Sequence, residues 1–231
     1  MGRLCKAMFF LTVLAISACS NNPSSPNGDN ATPPTLPDLS NLSIALPQNA
    51  PADIQLMIFA ANSLTGTGMA YLNFVTATQP TLVDGKWVWQ YSKDGLTITL
   101  TATEQSDSLD WQLNLDGTEP SSGTQFNNWT AMTGTSTADG LNGYLTIYEV
   151  NSANAAGNAT WTADAQGNAN IDLTAGDLQV QGTGNDDASG SLVVFQAGVK
   201  IFESSWTAAG GSWTSYDPTT GAPVDSDTWV N

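Results

Sequence analysis

Histidine is absent from this chain, and its absence excludes much chemistry before any motif is sought. There can be no Ser-His-Asp or Cys-His constellation, no imidazole-bound metal and no general base that titrates unaided near neutrality. Cations are almost as scarce: 5 Lys and Arg stand against 21 Asp and Glu, a formal net charge of −16. Phosphate recognition needs clustered Lys and Arg, so nucleic acid is not expected as a partner. Docking onto anionic lipid by charge is excluded on the same ground. The acidity itself is read as solubility and mutual repulsion between copies. Cysteine occurs only at Cys5 and Cys19.

What is present begins at the N-terminus. Arg3 and Lys6 precede Ala7 to Ile16, a nearly unbroken apolar run. Roughly ten apolar residues cannot span ~30 Å of hydrocarbon, but they suit the apolar region of a secretory signal. The small residues Ser17 and Ala18 then lead into a cysteine. Ile16-Ser17-Ala18-Cys19 resembles the lipobox of bacterial lipoproteins. That resemblance stops at the signal, and it implies cleavage before Cys19, diacylation of the thiol and usually acylation of the new amine. Membrane lipid is then a partner through Cys19, held by two or three chains at ~0.8 kcal/mol per buried CH₂. An Asp after the cysteine would imply inner-membrane retention in the enterobacterial version of the family. Ser20 stands there instead, which implies the outer membrane where the cell has one.

Loss of the signal removes Arg3, Lys6 and Cys5. The remainder keeps Lys86, Lys93 and Lys200 against all 21 carboxylates, a net charge of 3 − 21 = −18. Acylation consumes Cys19, so no disulfide is expected. The organisation that follows is a signal at 1–18, a Pro/Ser/Asn-rich tether at 19–40 and a single domain at 41–231. The tether composition cannot bury a core. Within the domain, 41–80 reads as helical and 86–231 as strands.

The helical reading rests on Pro51 at a first-turn position and on Ile54, Met57, Ile58, Ala61 and Leu64 at helical spacing. Thr65 to Gly68 breaks the pattern, and Tyr71, Phe74 and Val75 fit a second, shorter face. From Lys86 the period changes to two. Trp87, Trp89 and Tyr91 alternate with Val88 and Gln90, and after Asp94-Gly95 the residues Leu96, Ile98 and Leu100 alternate with threonines. Trp111, Leu113 and Leu115 continue the meander opposite Gln112 and Asn114. The same pattern, punctuated by glycine and acidic turns, runs to a terminal strand near Trp229 and gives roughly a dozen strands. Because no helix-length segment interrupts them, parallel crossovers are not expected.

The fold class read from this is mainly β. A single antiparallel meander is expected to curl into a barrel or half-barrel, with an N-terminal helical hairpin packed on it. In outline that build is similar to the curled sheet and helical lid of periplasmic lipoprotein carriers and to the cup of lipocalins. The similarity implies a cup for an apolar small molecule. The aromatic and glycine residues of Gly211 to Gly221 also resemble repeats of the MORN type, at irregular spacing.

Three kinds of site are candidates. All 8 tryptophans lie in the strand region. Trp87, Trp89, Tyr91, Trp111 and Trp129 either fill the core or contact a ligand, which for exposed rings would be a glycan. Asn127-Asn128-Trp129-Thr130 offers hydrogen-bonding groups beside an aromatic, as a sugar site requires. Asp164, Asn168 and Asp172 place oxygens around Gly167, as Ca²⁺ accepts, but without the closing glutamate of an EF-hand. The alternative there is ordinary turn chemistry. Finally, two carboxylates could hydrolyse a glycoside, yet no spacing selects a pair. No cofactor and no enzyme activity are expected, since no nucleophile–base constellation is visible. The expectation is a monomeric, exported, lipid-anchored envelope protein serving as a scaffold or apolar-ligand binder, with glycan binding and carboxylate-based hydrolysis as alternatives.

Overall fold

The computed structural model describes residues 32–36, 52, 54–59, 62, 72–73 and 75–230. Cys19, the expected signal and most of the expected tether lie outside them. Thirteen strands form one sheet in which every strand pairs antiparallel with its neighbours in sequence. They are β1 (Thr81–Val83), β2 (Lys86–Lys93), β3 (Leu96–Glu104), β4 (Ser108–Thr118), β5 (Gln125–Thr137), β6 (Asn142–Tyr148) and β7 (Ala155–Ala163). The meander continues through β8 (Ala169–Ala175), β9 (Leu178–Gly184), β10 (Gly190–Gln196), β11 (Val199–Thr207), β12 (Gly210–Tyr216) and β13 (Pro223–Val230).

Tight turns set the registers. At Asp94-Gly95 both central residues have positive φ, 50° and 86°, the primed-turn geometry whose twist matches that of the flanking strands. Lys93 then faces Leu96, and Trp89 faces Leu100. The period-two pattern gives each strand one apolar face, and the registers line these faces up. One row runs Trp87, Ala102, Trp111, Gly134, Leu145, Ala159, Leu173, Val180, Val194 and Phe202 across ten strands. The non-glycine members of that row are all buried. The next row, on the other face, is Thr101, Gln112, Thr133, Thr146, Asn158, Thr174 and Gln179. The core therefore lies on one side of a single sheet, and the other side is a field of hydroxyls and amides.

Of the expected barrel or half-barrel, the closed barrel is not formed. Among the described residues β1 and β13 make no ladder, so the sheet is open at both ends. Closure needs two compatible edges. Here β1 offers only 3 residues, and two N–H groups of β13 are taken by its own side chains.

The expected helical hairpin is not supported. Residues 52, 54–59 and 62 are helical, as are 72–73 and 75–76, but 60–61, 63–71 and 74 lie outside the described residues. The run 54–59 does have the expected face. Ile54 and Ile58, one turn apart, are each 1% exposed and join the core cluster, whereas Leu56 and Phe59 are exposed. Val75 is buried in the same cluster, and Leu36, inside the expected tether, also packs against it. No helix among the described residues is long and apolar enough to cross a membrane.

Candidate functional site

Where β4, β5 and β6 meet on the polar face, the sheet carries a groove of about 490 Å³. Its floor and walls are Gln112, Thr130, Thr133 and Tyr148 on the strands, Asn127, Asn128 and Trp129 at a distortion of β5, and Asn151, Ser152 and Ala153 in the β6–β7 turn. The distortion creates the groove. The β4–β5 register shifts between Leu113 and Asn114 and again between Leu115 and Gly117, which frees Asn127 and Asn128 from regular pairing. Asn128 takes a φ of 47°, a conformation asparagine tolerates better than most residues, and its N–H donates to Asp116 Oδ1 at 2.9 Å.

The β6–β7 turn is tied to this bulge by one amide. Asn151 Nδ2 donates to the carbonyl of Gln125 at 2.7 Å, and Asn151 Oδ1 accepts from the N–H of Asn127 at 3.2 Å. Both ends of that side chain are used, so the wall is fixed. On the floor, Gln112 Nε2 donates to Asn114 Oδ1 at 2.7 Å, and Asn114 Nδ2 donates to Thr130 Oγ1 at 3.1 Å. Thr133 Oγ1 and Tyr148 OH are 3.1 Å apart and share a hydrogen bond. Beyond Tyr148 the polar face continues with Tyr144 OH donating to Asn158 Oδ1 at 2.8 Å and with the Thr146 hydroxyl within hydrogen-bond distance of both, at 2.8 Å and 3.0 Å.

Every lining side chain is neutral. The groove offers amide donors, amide acceptors and hydroxyls that serve as either, and with them the half-buried phenol ring of Tyr148. It holds no group able to pair with a phosphate, sulfate or carboxylate. Its volume lies in the range typical of small-molecule sites.

The aromatic candidates sit elsewhere. Trp87, Trp89 and Trp111 are 7%, 4% and 4% exposed on the core face, and Tyr91 is partly buried against the same core. Trp129 alone among them lines the groove, and its ring stacks on Phe126 with centroids 5.3 Å apart. Asp164 and Asn168 share the β7–β8 turn, where Asp164 accepts from Asn168 Nδ2 at 2.7 Å and from two backbone N–H groups. Those bonds, led by the Asn168 amide, hold the Asp164 carboxyl below the usual carboxylate range. Asp172 stands apart on β8 and accepts from Gln179 Nε2 at 2.9 Å and Gln181 Nε2 at 2.9 Å. Asp164 and Asn168 thus bond to each other and Asp172 to two glutamines, and among the described residues no group of three His, Cys, Asp or Glu is placed to hold a metal.

One charged cluster escaped sequence reasoning. Lys200 Nζ lies 2.7 Å from Glu203 Oε2 and 4.3 Å from the ring centre of Tyr216, whose hydroxyl donates to Glu203 Oε1. The Lys200 ammonium, followed by the Tyr216 hydroxyl, lowers the Glu203 carboxyl, and Glu203 in turn raises Lys200. Three residues of one face, split over β11 and β12, give no signal in a linear pattern. The groove was partly visible, since Asn127-Asn128-Trp129-Thr130 stands out, but Gln112, Tyr148 and Asn151 join it only through the sheet. No family model matches this chain, and no curated protein sequence does either.

Proposed function

We propose that this protein is a lipid-anchored, non-enzymatic cell-envelope protein that binds a neutral, hydroxyl-rich glycan in the β4–β6 groove. The observation carrying the proposal is the lining: amides, hydroxyls and a tyrosine ring with no charged side chain among them. Sugar hydroxyls both donate and accept, and side-chain amides and hydroxyls answer them on both counts. A half-buried tyrosine supplies an apolar face for a pyranose ring. The net charge, −16 for the full chain and 3 − 21 = −18 once the proposed signal is removed, works against anionic polymers and leaves neutral ones unopposed.

An apolar ligand fits less well. The apolar face of the sheet is filled by its own side chains, and the groove is lined mainly by polar ones. Hydrolysis would require paired carboxylates across the bond to be cut, and the lining contains none. The anchoring part of the proposal is supported by the resemblance of Ile16 to Cys19 to a lipobox, with Ser20 after it favouring the outer membrane where there is one. Titration of the protein with neutral and with sulfated oligosaccharides tests the reading. Binding of a neutral series that is lost in Tyr148→Ala supports it, and binding of sulfated ligands alone contradicts it.

A further inference from the structure

An open sheet presents two edges, and each is a template for an added strand. The β1 edge is short, with only 3 residues. The β13 edge is not short: Pro223–Val230 runs 8 residues and is almost wholly exposed. Nothing covers it among the described residues, so something in its sequence must manage it.

The parity of the ladder tells which groups face outward. On β12 the carbonyl of Ser212 accepts from Ser204 Oγ of β11 at 3.0 Å, so the polar groups of Ser212 point away from β13. Ser212 faces Thr228 and Thr214 faces Ser226, so the N–H groups of Ser226 and Thr228 point to the free edge. Both are already bonded. Ser226 N–H donates to Asp225 Oδ1 at 2.9 Å, and Thr228 N–H donates to Asp227 Oδ1 at 2.8 Å. Each carboxylate covers the donor of the residue that follows it. Asp227 faces Trp213, a buried core residue, so both aspartates lie on the core-facing side of the edge. Charge on that side is a recurrent protection of exposed edges.

We propose that Asp225 and Asp227 block strand addition at β13 and so keep copies of this chain from pairing edge to edge. An incoming strand would have to displace both carboxylates from the two central donors. It would also bury them against its own side chains with no lysine on β13 to pair with them, since Lys86 and Lys93 are on β2 and Lys200 is on β11. A second copy would bring a second pair of aspartates to the same seam.

The test compares four forms of the full chain in detergent by size-exclusion chromatography with light scattering. Wild type is expected to be monomeric, and Asp225→Thr with Asp227→Thr is expected to at least double the protein mass. Adding Ser226→Pro to that pair is expected to restore the monomer, because proline removes an outward N–H without disturbing the ladder to β12. Asp94→Asn with Asp107→Asn, an equal change of charge elsewhere, is expected to stay monomeric. Far-UV circular dichroism confirms that each form is folded. A threonine variant that remains monomeric overturns the proposal. So does association that persists with the proline, or that the charge control reproduces. Should the threonine pair fail to fold, single Asp227→Thr takes its place with the same expected and overturning results.

Discussion

The indole of Trp161 on β7 lies flat against Gly143, the residue directly opposite it on β6. A Cβ at position 143 would fall 2.2 Å from Cζ2 of that ring, and the indole Nε1 donates to the Gly140 carbonyl at 3.1 Å. The same pairing recurs as Trp111 over Gly134, Trp206 over Gly190 and Trp229 over Gly211. A glycine in a strand leaves a slot with no side chain to pack, and a cross-strand aromatic fills it. Half of the 8 tryptophans are therefore paired with a glycine, and their presence is explained by packing rather than by a ligand.

Gly143→Ala should therefore destabilise the protein, although alanine is the better strand residue. The new methyl meets two ring atoms of Trp161 and the carbonyl of Thr135 at 2.8 Å. Overpacking of this kind costs ~1–3 kcal/mol. Thermal melts should show a lower midpoint for the variant. An equal or higher midpoint would mean that the ring moves aside freely.

Stability should depend on pH mainly on the acid side and stay flat through neutrality. The carboxyls of Asp139, Asp187 and Asp217 lie below the usual range, held by the Thr137 hydroxyl, the Ser189 side chain and the Thr220 N–H respectively. Asp164 and Glu203 are lowered as well. A carboxyl whose folded pKa is depressed contributes stability above its unfolded pKa and loses it as pH falls through the folded value. With no histidine to titrate, urea midpoints should be flat between about pH 6 and 8 and fall below about pH 4. Lys200, raised by Glu203, adds a loss only when pH climbs past the lysine range. A midpoint that changes steeply near neutrality would contradict this account.

Much of the fold was legible in the chain. Trp87 to Tyr91 and Leu96 to Leu100 announce their strands by strict alternation, and Asp94-Gly95 announces the turn between them. β1 was not legible, because 3 residues carry no period. Whether the sheet closes was not legible either. Closure turns on whether β1 and β13 meet, which is a long-range relation that no local alternation encodes. The groove shows the same division. Asn127 and Asn128 are conspicuous in the sequence, but Gln112 and Tyr148 become their neighbours only once the β4–β5 register shifts.

Cys19→Ala should abolish lipid attachment. Under the proposed anchoring Cys19 is the only cysteine left once the signal is removed, and it closes the stretch Ile16 to Cys19 that resembles a lipobox. Metabolic labelling with a fatty acid reads the outcome directly. Wild type should take up label and the variant none, whereas equal labelling of both would place the anchor elsewhere.

The glycan proposal is tested most directly by calorimetric titration of the protein with a neutral oligosaccharide series, beside Tyr148→Ala and Asn151→Ala. Tyr148 is one of the two aromatic residues lining the groove, with Trp129, and Asn151 ties its wall to β5 through Gln125 and Asn127. The account predicts saturable binding by wild type and at least a tenfold loss in each variant, equivalent to ~1.4 kcal/mol. Unchanged affinity in both variants, or no heat with any neutral glycan, would contradict it.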